Sequence, residues 1–517
     1  MRSKKRWGER EGAFSGLIPE RAIIDIGSNT VRLVIYGGSM RAPTVLLNEK
    51  VTARLGRDIA AHGILAKDAV ELALRGLRRF VLLLEDLDVS DVVTVATAAV
   101  RDASNGSEFV AELARLGLDP RILTGEEEGE ISATGVLGAF PGAAGVVADL
   151  GGGSLELATL DGHQSVAASS LPLGTLRLPD HRGENTAEML ANLERVLKRG
   201  GWDKIGEGER DAAPLYLVGG TWRAMAVYAM QLEGHPLSDP HGFAIALEDA
   251  YSLIDQLAKE TSQSLKARER ISSMRAEKLP DAAVLLRALL ARLGPARIVF
   301  SSWGLREGLL FDQLPPDSKG QDPLLAGVSA FAGQRGTSAS FAARMAGWTV
   351  DAAPAQKYGS ERLRLAATML ALASMQIEPN IRMPQAIDWA LHKRWIAVDD
   401  EARAMLAAAI AANGNHLNLP RTVRALASKQ ALEEAICWGL AIRLARRLGA
   451  RSQRFLQTSR LTVERGKLIL RLAQSRADLF GVPVEKDLKL LAGRLGLDWS
   501  VKTVADECLH EGSADKQ

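Results

Sequence analysis

Residues 146–160 read VVADLGGGSLELATL, and this stretch decides how the chain folds. An apolar run ends at Asp149, three glycines follow, and an alternating apolar run begins at Leu155. Glycine loses more conformational freedom on folding than any other residue, so a triplet predicts a tight turn or a ligand that approaches the backbone closely. The apolar runs on both sides predict a β-hairpin with a carboxylate at the end of its first strand.

The same arrangement occurs once more, about one domain length earlier, in DIGSNTVRLVI at residues 25–35. When Asp25 is aligned with Asp149, both copies read as apolar strand, acidic residue, glycine-bearing turn, hydroxyl residue and second strand. Chance similarity between two hairpins is the alternative explanation of so short a match. The spacing nevertheless predicts a duplicated α/β fold, with a cleft between two similar halves.

The composition is that of an ordinary globular protein, and the 517 residues correspond to about three or four domains. A net charge of +2 is too small for the protein as a whole to attract polyanions, so any anionic partner must be held by a local basic patch. Two cysteines suit no metal or disulfide framework, and there is no secretory signal or run of about 18 apolar residues. We therefore expect a cytoplasmic protein without a membrane partner.

The order of elements predicts four parts. Residues 1–19 form a basic disordered tail, and strand-like and helix-like segments then alternate through residues 20–135 and 136–317. Such alternation is typical of α/β layers, and the end of the second segment is expected to pack back on the first. A linker-like break near residues 318–322 precedes a mostly helical domain, 318–517, that is rich in Ala, Leu and Arg.

The two glycine turns have the chemistry of a phosphate site. Successive N–H groups without side chains in front of them form an anion nest. The hydroxyls of Ser28, Thr30 and Ser154 and the amide of Asn29 can add donors. A carboxylate beside a phosphate repels it unless a cation lies between them, so Asp25 and Asp149 are interpreted as Mg²⁺ ligands. A plain hairpin explains one such turn, but two matched turns favour the site.

Three further segments can contribute. The turn before the helix in LYLVGGTWRAMAVY (215–228) places Gly220 and Thr221 at a helix N-terminus, which favours anions, although a routine turn is equally plausible. Arg101 follows a strand and is a possible bidentate phosphate clamp, or else a surface arginine. The glutamates of LTGEEEGE (123–130) either complement a helix dipole or include a base that activates water.

Seven motifs in a fixed order then resemble the exopolyphosphatase/guanosine pentaphosphate phosphohydrolase (Ppx/GppA) family, most closely a bacterial exopolyphosphatase. They are DIGSNT (25–30), TAAVRD (97–102), TGEEEGEISATG (124–135), ADLGGGSLEL (148–157), LPLGTLRL (171–178), VGGTWRAMA (218–226) and SSWGLREGLL (301–310). The resemblance covers residues 20–312. It implies duplicated actin-like (ribonuclease H-like) ATPase-superfamily domains, a C-terminal HD-like helical domain and a homodimer.

The resemblance also implies roles for individual residues. Glu128 would be the general base, with Glu127 as the alternative because the triple glutamate leaves the register open by one. Asp149 would bind Mg²⁺ and position the water, while Asp25 and Glu156 would support the metal. The terminal phosphoryl group would be held by Ser28, Asn29, Thr30, Arg101, Gly151, Gly152, Gly153, Ser154, Gly220 and Thr221.

The C-terminal domain departs from catalytic HD proteins, because its helical stretch lacks the His–Asp pair and further ligands that their metals need. It carries a basic run instead, residues 443–476, with ten Lys and Arg residues against one acidic residue. The alternation around Gly466 predicts a hairpin with Arg465, Lys467 and Arg471 on one side. These residues are either a track for polyphosphate or an ordinary solvated surface.

Together these features predict hydrolysis of terminal phosphate from inorganic polyphosphate. The nearest alternative is hydrolysis of guanosine pentaphosphate (pppGpp), which the resemblance also allows. An actin-like ATPase or sugar kinase would instead need an adenosine pocket. A non-catalytic regulator that binds polyphosphate or a nucleotide is disfavoured by the presence of Glu128, Asp149 and Arg101. No specific nucleic-acid partner is expected.

Overall fold

A computed structural model describes residues 17–202, 213–450 and 452–506 of the chain. The chain divides into two compact units, Met1–Pro323 and Leu324–Gln517, so the split lies next to the break predicted near residues 318–322. Most of the predicted basic tail, residues 1–16, lies outside the described residues, as does Cys508.

The first half of unit 1 is a five-stranded sheet in the order β3-β2-β1-β4-β5. β1 pairs antiparallel with β2 and parallel with β4, and apolar side chains are buried on both faces of these central strands. The predicted strand–turn–strand is therefore confirmed. The strands are β1 Arg21–Ile26, β2 Val31–Gly38, β3 Pro43–Val51, β4 Asp91–Ala96 and β5 Pro120–Ile122.

The second half is a six-stranded sheet in the order β10-β11-β9-β6-β7-β8. Its strands β8, β7, β6, β9 and β11 repeat the directions of β3, β2, β1, β4 and β5, and β10 is an added antiparallel edge. The predicted duplication is thus present in strand order as well as in sequence. The strands are β6 Ala144–Leu150, β7 Leu155–Asp161, β8 Ser165–Leu171, β9 Leu215–Val218, β10 Ala244–Ala246 and β11 Arg297–Ser301.

Helices connect and cover the two sheets. The strand expected before Arg101 is β4, which ends at Ala96. Arg101 itself lies on a short helix, where the Val100 and Arg101 N–H groups donate to the Thr97 carbonyl at 3.0 and 3.2 Å. The helices are α1 Ile59–His62, α2 Lys67–Asp86, α3 Ala98–Asp102, α4 Gly106–Arg115, α5 Gly125–Ala139, α6 Thr186–Arg199, α7 Gly220–Leu232, α8 Leu247–Leu257, α9 Ser262–Lys266, α10 Ser273–Ala276, α11 Leu279–Leu293, α12 Leu305–Asp312 and α13 Pro316–Lys319, with a 3₁₀ turn at Leu178–His181.

Helices α5 and α12 pack against each other between the two sheets. Val136 of α5 lies in the core of the second sheet, whereas Leu309 and Leu310 of α12 pack into the first. The expected return of the chain onto the first half is therefore present. Helix α5 packs on β6, β7 and β8, while its Ile131 packs against the core of the first half, and the boundary expected after residue 135 stays a prediction.

Glycines set the distance between α5 and α12. A Cβ at Gly308 would overlap the backbone carbonyl of Ile131, and one at Gly135 would overlap that of Gly304. These are backbone contacts, so no side-chain rotation relieves them. The close approach carries the start of α12 to Asp149, because a Cβ at Gly304 would lie 3.5 Å from Asp149 Oδ2.

Unit 2 is mostly helical, as predicted, and its central helix α18 is buried on every side from Arg403 to Asn413. A three-stranded sheet, β12-β13-β14, follows, and its hairpin turns at Arg465–Gly466 as expected. The similarity of this unit to HD proteins stays a prediction. Its elements are α14 Pro323–Gly333, α15 Ala339–Thr349, α16 Glu361–Ser374, α17 Arg382–His392, α18 Asp400–Asn413, α19 Arg421–Leu426, α20 Lys429–Gly449, α21 Phe455–Thr458, β12 Ser459–Glu464, β13 Lys467–Ala473, a 3₁₀ turn at Gln474–Leu479, α22 Val482–Leu495 and β14 Asp498–Val504.

In the part of the chain that the structure describes, no helix combines the length and the apolar character that crossing a bilayer requires.

Replacing Gly308 should test the α5–α12 contact. We expect Gly308→Ala to lower the free energy of unfolding by about 1–3 kcal/mol, because the added methyl group forces two backbones apart. Chemical unfolding followed by circular dichroism measures this change. Gly493→Ala is the matched control: Gly493 lies in α22 with open space around it, and its replacement should be neutral or stabilising by up to ~1 kcal/mol. Equal stability of both variants would contradict the packing.

Candidate active site

A cavity of about 390 Å³ lies between the two halves of unit 1. Both glycine turns, the N-termini of α7 and α12, and a segment around α10 line it. Nearly all predicted phosphate and metal residues meet there. Its walls include Asp25, Ser28, Asn29, Thr30, Glu128, Asp149, Gly151, Gly152, Gly153, Ser154, Gly220 and Thr221.

The two glycine turns face each other in direct contact. A Cβ at Gly153 would lie 2.9 Å from Ser28 Oγ, and one at Gly152 would lie 3.4 Å from the backbone nitrogen of Asn29. Larger residues would therefore push the turns apart. Within the described residues, the N–H groups of Gly152 and Gly153 donate to no backbone carbonyl. They are available to an anion in the cavity, as the nest interpretation requires.

The acidic residues gather on neighbouring strands and on α5. Asp149 and Glu156 are directly paired across β6 and β7, while Asp25 pairs with Arg32 across β1 and β2. Burial raises the pKa of both Asp25 and Asp149 above their usual range. Burial, followed by the charge of Asp149, raises the pKa of Glu156 to about 8.

Glu128 shares this environment. Burial raises its pKa well above the usual range, and the charges of Glu156, Asp149 and Asp25 add to the effect. Its Oε2 atom is buried and finds no hydrogen-bond donor in the described part of the chain. A buried acceptor without a donor is costly, so this carboxyl group is poised to take up a proton or to bind a cation.

Glu127 has a different role from Glu128. Its side chain accepts a hydrogen bond from Thr124 N–H at 2.8 Å, and Thr124 Oγ1 accepts one from Glu127 N–H, which closes a capping box at the start of α5. Its pKa is lowered by the Thr124 N–H and by Arg121. Glu127 does not line the cavity, so the structure places the alternative base outside it.

The acidic cluster suits a cation that takes some of its ligands from the protein and the others from the substrate. No three His, Cys, Asp or Glu side chains among the described residues are arranged to hold an ion by themselves. Asp25, Glu128 and Asp149 nevertheless line one cavity and disfavour each other's charge. Mg²⁺ keeps several waters and binds through few carboxylates plus phosphate oxygens, so it fits this arrangement.

Ser132 and three arginines were not predicted as site residues. Ser132 Oγ, one turn after Glu128 on α5, donates a hydrogen bond to Asp149 Oδ2 and opposes the rise of its pKa. Arg306 lies 3.9 Å from Asp25, and Arg32 lines the same wall. Burial, and next the charge of Arg306, lower the pKa of Arg32. Two mutually repelling guanidinium groups beside a cavity indicate a binding site for anions.

Arg275 is the third of these arginines. It lies against the third glycine turn, where a Cβ at Gly220 would come 2.8 Å from Arg275 Nη2. Burial lowers its pKa. No salt bridge to Arg275 is present among the described residues, so α7 and this guanidinium offer two positive groups to an anion.

The structure places Arg101 differently from the expectation of a clamp. Its guanidinium donates to Asp102 at 3.0 Å and to the Leu123 carbonyl at 2.9 Å, and it is not part of the cavity wall. Its charge lowers the pKa of Glu128 and Glu156, against the larger effect of burial. Arg101 therefore lies behind the acidic cluster, and a direct phosphate contact stays a prediction.

Glu156 is also placed differently from the expectation of a residue that supports the metal. It is buried behind the cavity wall and accepts a hydrogen bond from Ser170 Oγ at 2.8 Å.

The residues of the expected polyphosphate track lie in the sheet of unit 2. Lys467 and Arg471 share one face of β13, whereas Arg465 is in the turn. Arg471 pairs with Glu464 at 2.8 Å, which reduces the charge it can offer.

The pKa of Glu156 predicts a pH-dependent stability. Because the folded state raises this pKa from 4.5 to about 8, stability is greatest below the unfolded pKa and is lost as pH rises through the folded one. After chelation of divalent cations, we expect the unfolding temperature to fall between about pH 5 and pH 8. Glu156→Gln, which stays neutral, should flatten this slope, and Glu126→Gln, an exposed neighbour, should not. Parallel slopes for all three proteins would refute the assignment.

Comparison with known proteins agrees with this architecture. The family model for Ppx/GppA phosphatases matches residues 34–317. Exopolyphosphatase 1 of Mycobacterium leprae is 27% identical over 314 residues, which is 58% of this chain and 90% of that protein. Retrograde regulation protein 2 of Saccharomyces cerevisiae is 28% identical over 341 residues, which is 60% of this chain and only 58% of that protein.

A solved structure gives the same result. The crystal structure of an exopolyphosphatase from Cytophaga hutchinsonii is 25% identical, has a TM-score of 0.50, and covers 56% of this chain and 96% of its own. The family match spans more than half of the residues and includes α5, the second glycine turn with its strands β6 and β7, and α12. The two mixed α/β sheets fit an actin-like fold, and the chain belongs to the Ppx/GppA phosphatase family.

Proposed function

We propose that the protein is an exopolyphosphatase that removes terminal orthophosphate from inorganic polyphosphate by hydrolysis. The observation that carries the proposal is the cavity itself, where two glycine turns expose N–H groups beside Glu128 and Asp149. Several relatives are named exopolyphosphatases, which supports the same substrate class. At 25–28% identity these names define a class of reaction, and the substrate of this chain is our proposal.

The turns would hold the terminal phosphoryl group. The N–H groups of Gly152, Gly153 and Thr221 and the hydroxyls of Ser28 and Ser154 are donors that could surround its oxygens. The Gly151 and Gly152 carbonyls, which would repel it, already accept hydrogen bonds from the Thr175 and Leu176 N–H groups at 3.1 and 2.8 Å. The loop therefore presents donors to the cavity while its acceptors are satisfied.

Glu128 would act as the general base. Water attacks the terminal phosphorus, its proton passes to the Glu128 carboxylate, and the bridging P–O bond breaks toward the shortened chain. A base with a raised pKa near the working pH transfers protons efficiently, and the surroundings of Glu128 raise it. Ser132 would keep Asp149 in the orientation that receives the water or the ion.

Mg²⁺ would be held by Asp25 and Asp149 with oxygens of the substrate, and it would neutralise charge on the phosphates. The arginines would add to this effect. Arg32, Arg275 and Arg306 line the cavity and can stabilise the negative charge that spreads over the phosphate oxygens during transfer. In the hairpin register Arg32 lies across from Asp25, at the position that Glu156 occupies across from Asp149.

The lining of the cavity favours a bare phosphate chain over pppGpp or ATP. Among the described residues, no Phe, Tyr, Trp or His side chain lines it. A nucleobase would find no aromatic stacking surface there. Hydrolysis of pppGpp remains the nearest alternative, because both substrates present the same terminal phosphoryl group to the same turns.

Phosphate release from long polyphosphate, pppGpp and ATP, each with Mg²⁺, tests the proposal. We expect polyphosphate to be the best substrate. Glu128→Gln should lower the turnover of polyphosphate about 10²–10⁴-fold, because the base is lost while the N–H and hydroxyl groups that hold the phosphate remain. Binding of polyphosphate should change little. Glu127→Gln is the control and should keep nearly full turnover. The assignment is wrong if Glu128→Gln is fully active, and the proposed substrate is wrong if pppGpp is preferred.

We also propose that the basic face of the sheet in unit 2 contacts the distal part of a long chain. Arg460, Arg471 and Lys502 are aligned in register across β12, β13 and β14, and Lys467 lies four residues before Arg471 on the same face of β13. Such a row can offset successive phosphate charges.

Neutralising this row should affect long chains alone. We expect Lys467→Gln combined with Lys502→Gln to raise KM for long polyphosphate about threefold, with a smaller effect at high salt and none on tripolyphosphate. Lys489→Gln, which removes an exposed ion pair with Glu485, is the control. An equal change for both chain lengths, or none, would exclude the track.

A further inference from the structure

Unit 1 contains a second cavity of about 290 Å³ on the other side of the contact between the glycine turns. It shares the residues of that contact with the first cavity, namely Ser28, Asn29, Ala98, Gly153, Met274 and Lys278. Glu128 and Asp149 line only the first cavity. The two cavities are therefore adjacent chambers, and only one of them contains the acidic cluster.

The second cavity is strongly basic. Arg54, Arg57, Arg177 and Lys278 line it, and Glu277 is its only acidic residue among those described. The Glu277 carboxylate is held by Lys266, with 2.6 Å between Nζ and Oε1. The wall thus carries an excess of positive charge without an acidic cluster to balance it.

Two of these four cations have no ion-pair partner in the part of the chain that the structure describes. Arg57 pairs with Asp58 and Asp68, and Arg177 lies 3.4 Å from Asp102.

Arg54 and Lys278 form no salt bridge within residues 17–202 and 213–450, and Lys278 Nζ instead donates to Thr175 at 3.2 Å. Burial, and next the charge of Arg54, lower the pKa of Lys278. Two neighbouring cations that destabilise each other indicate a place for an anion.

The backbone at Arg54 supports a built site. Its φ angle is 56°, in the left-handed region that residues other than glycine rarely adopt. The Arg54 N–H donates to the Asn29 carbonyl at 3.0 Å, and the Gly56 N–H donates to the Ser28 carbonyl at 2.8 Å. The same turn that faces the terminal phosphoryl site therefore holds Arg54 in a strained conformation beside the second cavity.

We propose that the second cavity binds the phosphate groups next to the one removed, and that Arg54 and Lys278 contact these groups. This inference rests on the proposed function. Ser28, Gly153 and Lys278 belong to the walls of both cavities, so a chain whose terminal group lies near Glu128 can place its next phosphates in the second cavity. Several consecutive phosphates need several cations, and unpaired Arg54 and Lys278 supply them.

Binding of defined polyphosphates to a chain carrying Glu128→Gln tests this inference without turnover. Adding Arg54→Gln and Lys278→Gln should weaken binding of tripolyphosphate and longer chains about tenfold or more, because charge-assisted contacts are lost. Binding of orthophosphate to the chain with Arg54→Gln alone should change less than about twofold, since Arg54 lines only the second cavity whereas Lys278 lines both. Arg54→Lys should restore part of the affinity. Arg79→Gln, an exposed charge on α2, is the matched control.

The outcomes separate the two proposals. If the chain with native Arg54 and Lys278 neither binds nor cleaves polyphosphate, the proposed function fails and the inference fails with it. If that chain cleaves polyphosphate but the double substitution leaves all affinities unchanged, only the second site is refuted. Equal weakening for orthophosphate and long chains would also refute it, because the residues would then serve the terminal group or its release.

Discussion

The withdrawal of four carboxyl groups from water beside one cavity is the constraint on which this site depends. Asp25, Glu128, Asp149 and Glu156 each have a raised pKa, and burial is the main cause in every case. Such a cluster costs free energy unless cations or protons compensate it. The surrounding arginines and Ser132 partly meet this requirement, and the proposed divalent ion would meet it further. A cation and a phosphate bound together would offset the free-energy cost of burying these carboxyl groups.

The duplicated hairpins explain how this charge distribution arises. Both halves place an acid at the end of the first strand, yet the residue opposite differs: Arg32 in the first half and Glu156 in the second. The two halves thus present unlike charges around matched glycine turns. Helices α5 and α12, brought together by glycines, then carry Glu128, Ser132 and Arg306 into the same space. Symmetry of the backbone and asymmetry of the side chains together produce one cavity lined by both acidic and basic groups.

Much of this was predictable from local pattern. Strand periodicity and the repeated motif predicted both hairpins, their facing turns, and a mostly helical second unit with a hairpin at Gly466. Thr124 and Glu127 have the spacing of a capping box, which could have assigned Glu127 without the structure. Arg306 lies within the motif of residues 301–310, and Arg32 aligns with Glu156 in the repeated hairpins, so the sequence could have identified both as site residues. Arg275, Arg54 and Lys278 carried none, because they lie outside any repeated pattern.

The sequence by itself determined the strands, the turns and the residue types that can bind phosphate, since these depend on neighbours along the chain. Only the tertiary structure decided which acids are buried together, that Arg101 turns to Asp102 and Leu123, and that a second basic cavity adjoins the first. Burial and charge pairing join residues hundreds of positions apart, such as Asn29 and Met274, whose side chains are 3.1 Å apart. For that reason, electrostatics of this kind has no local signature in the sequence.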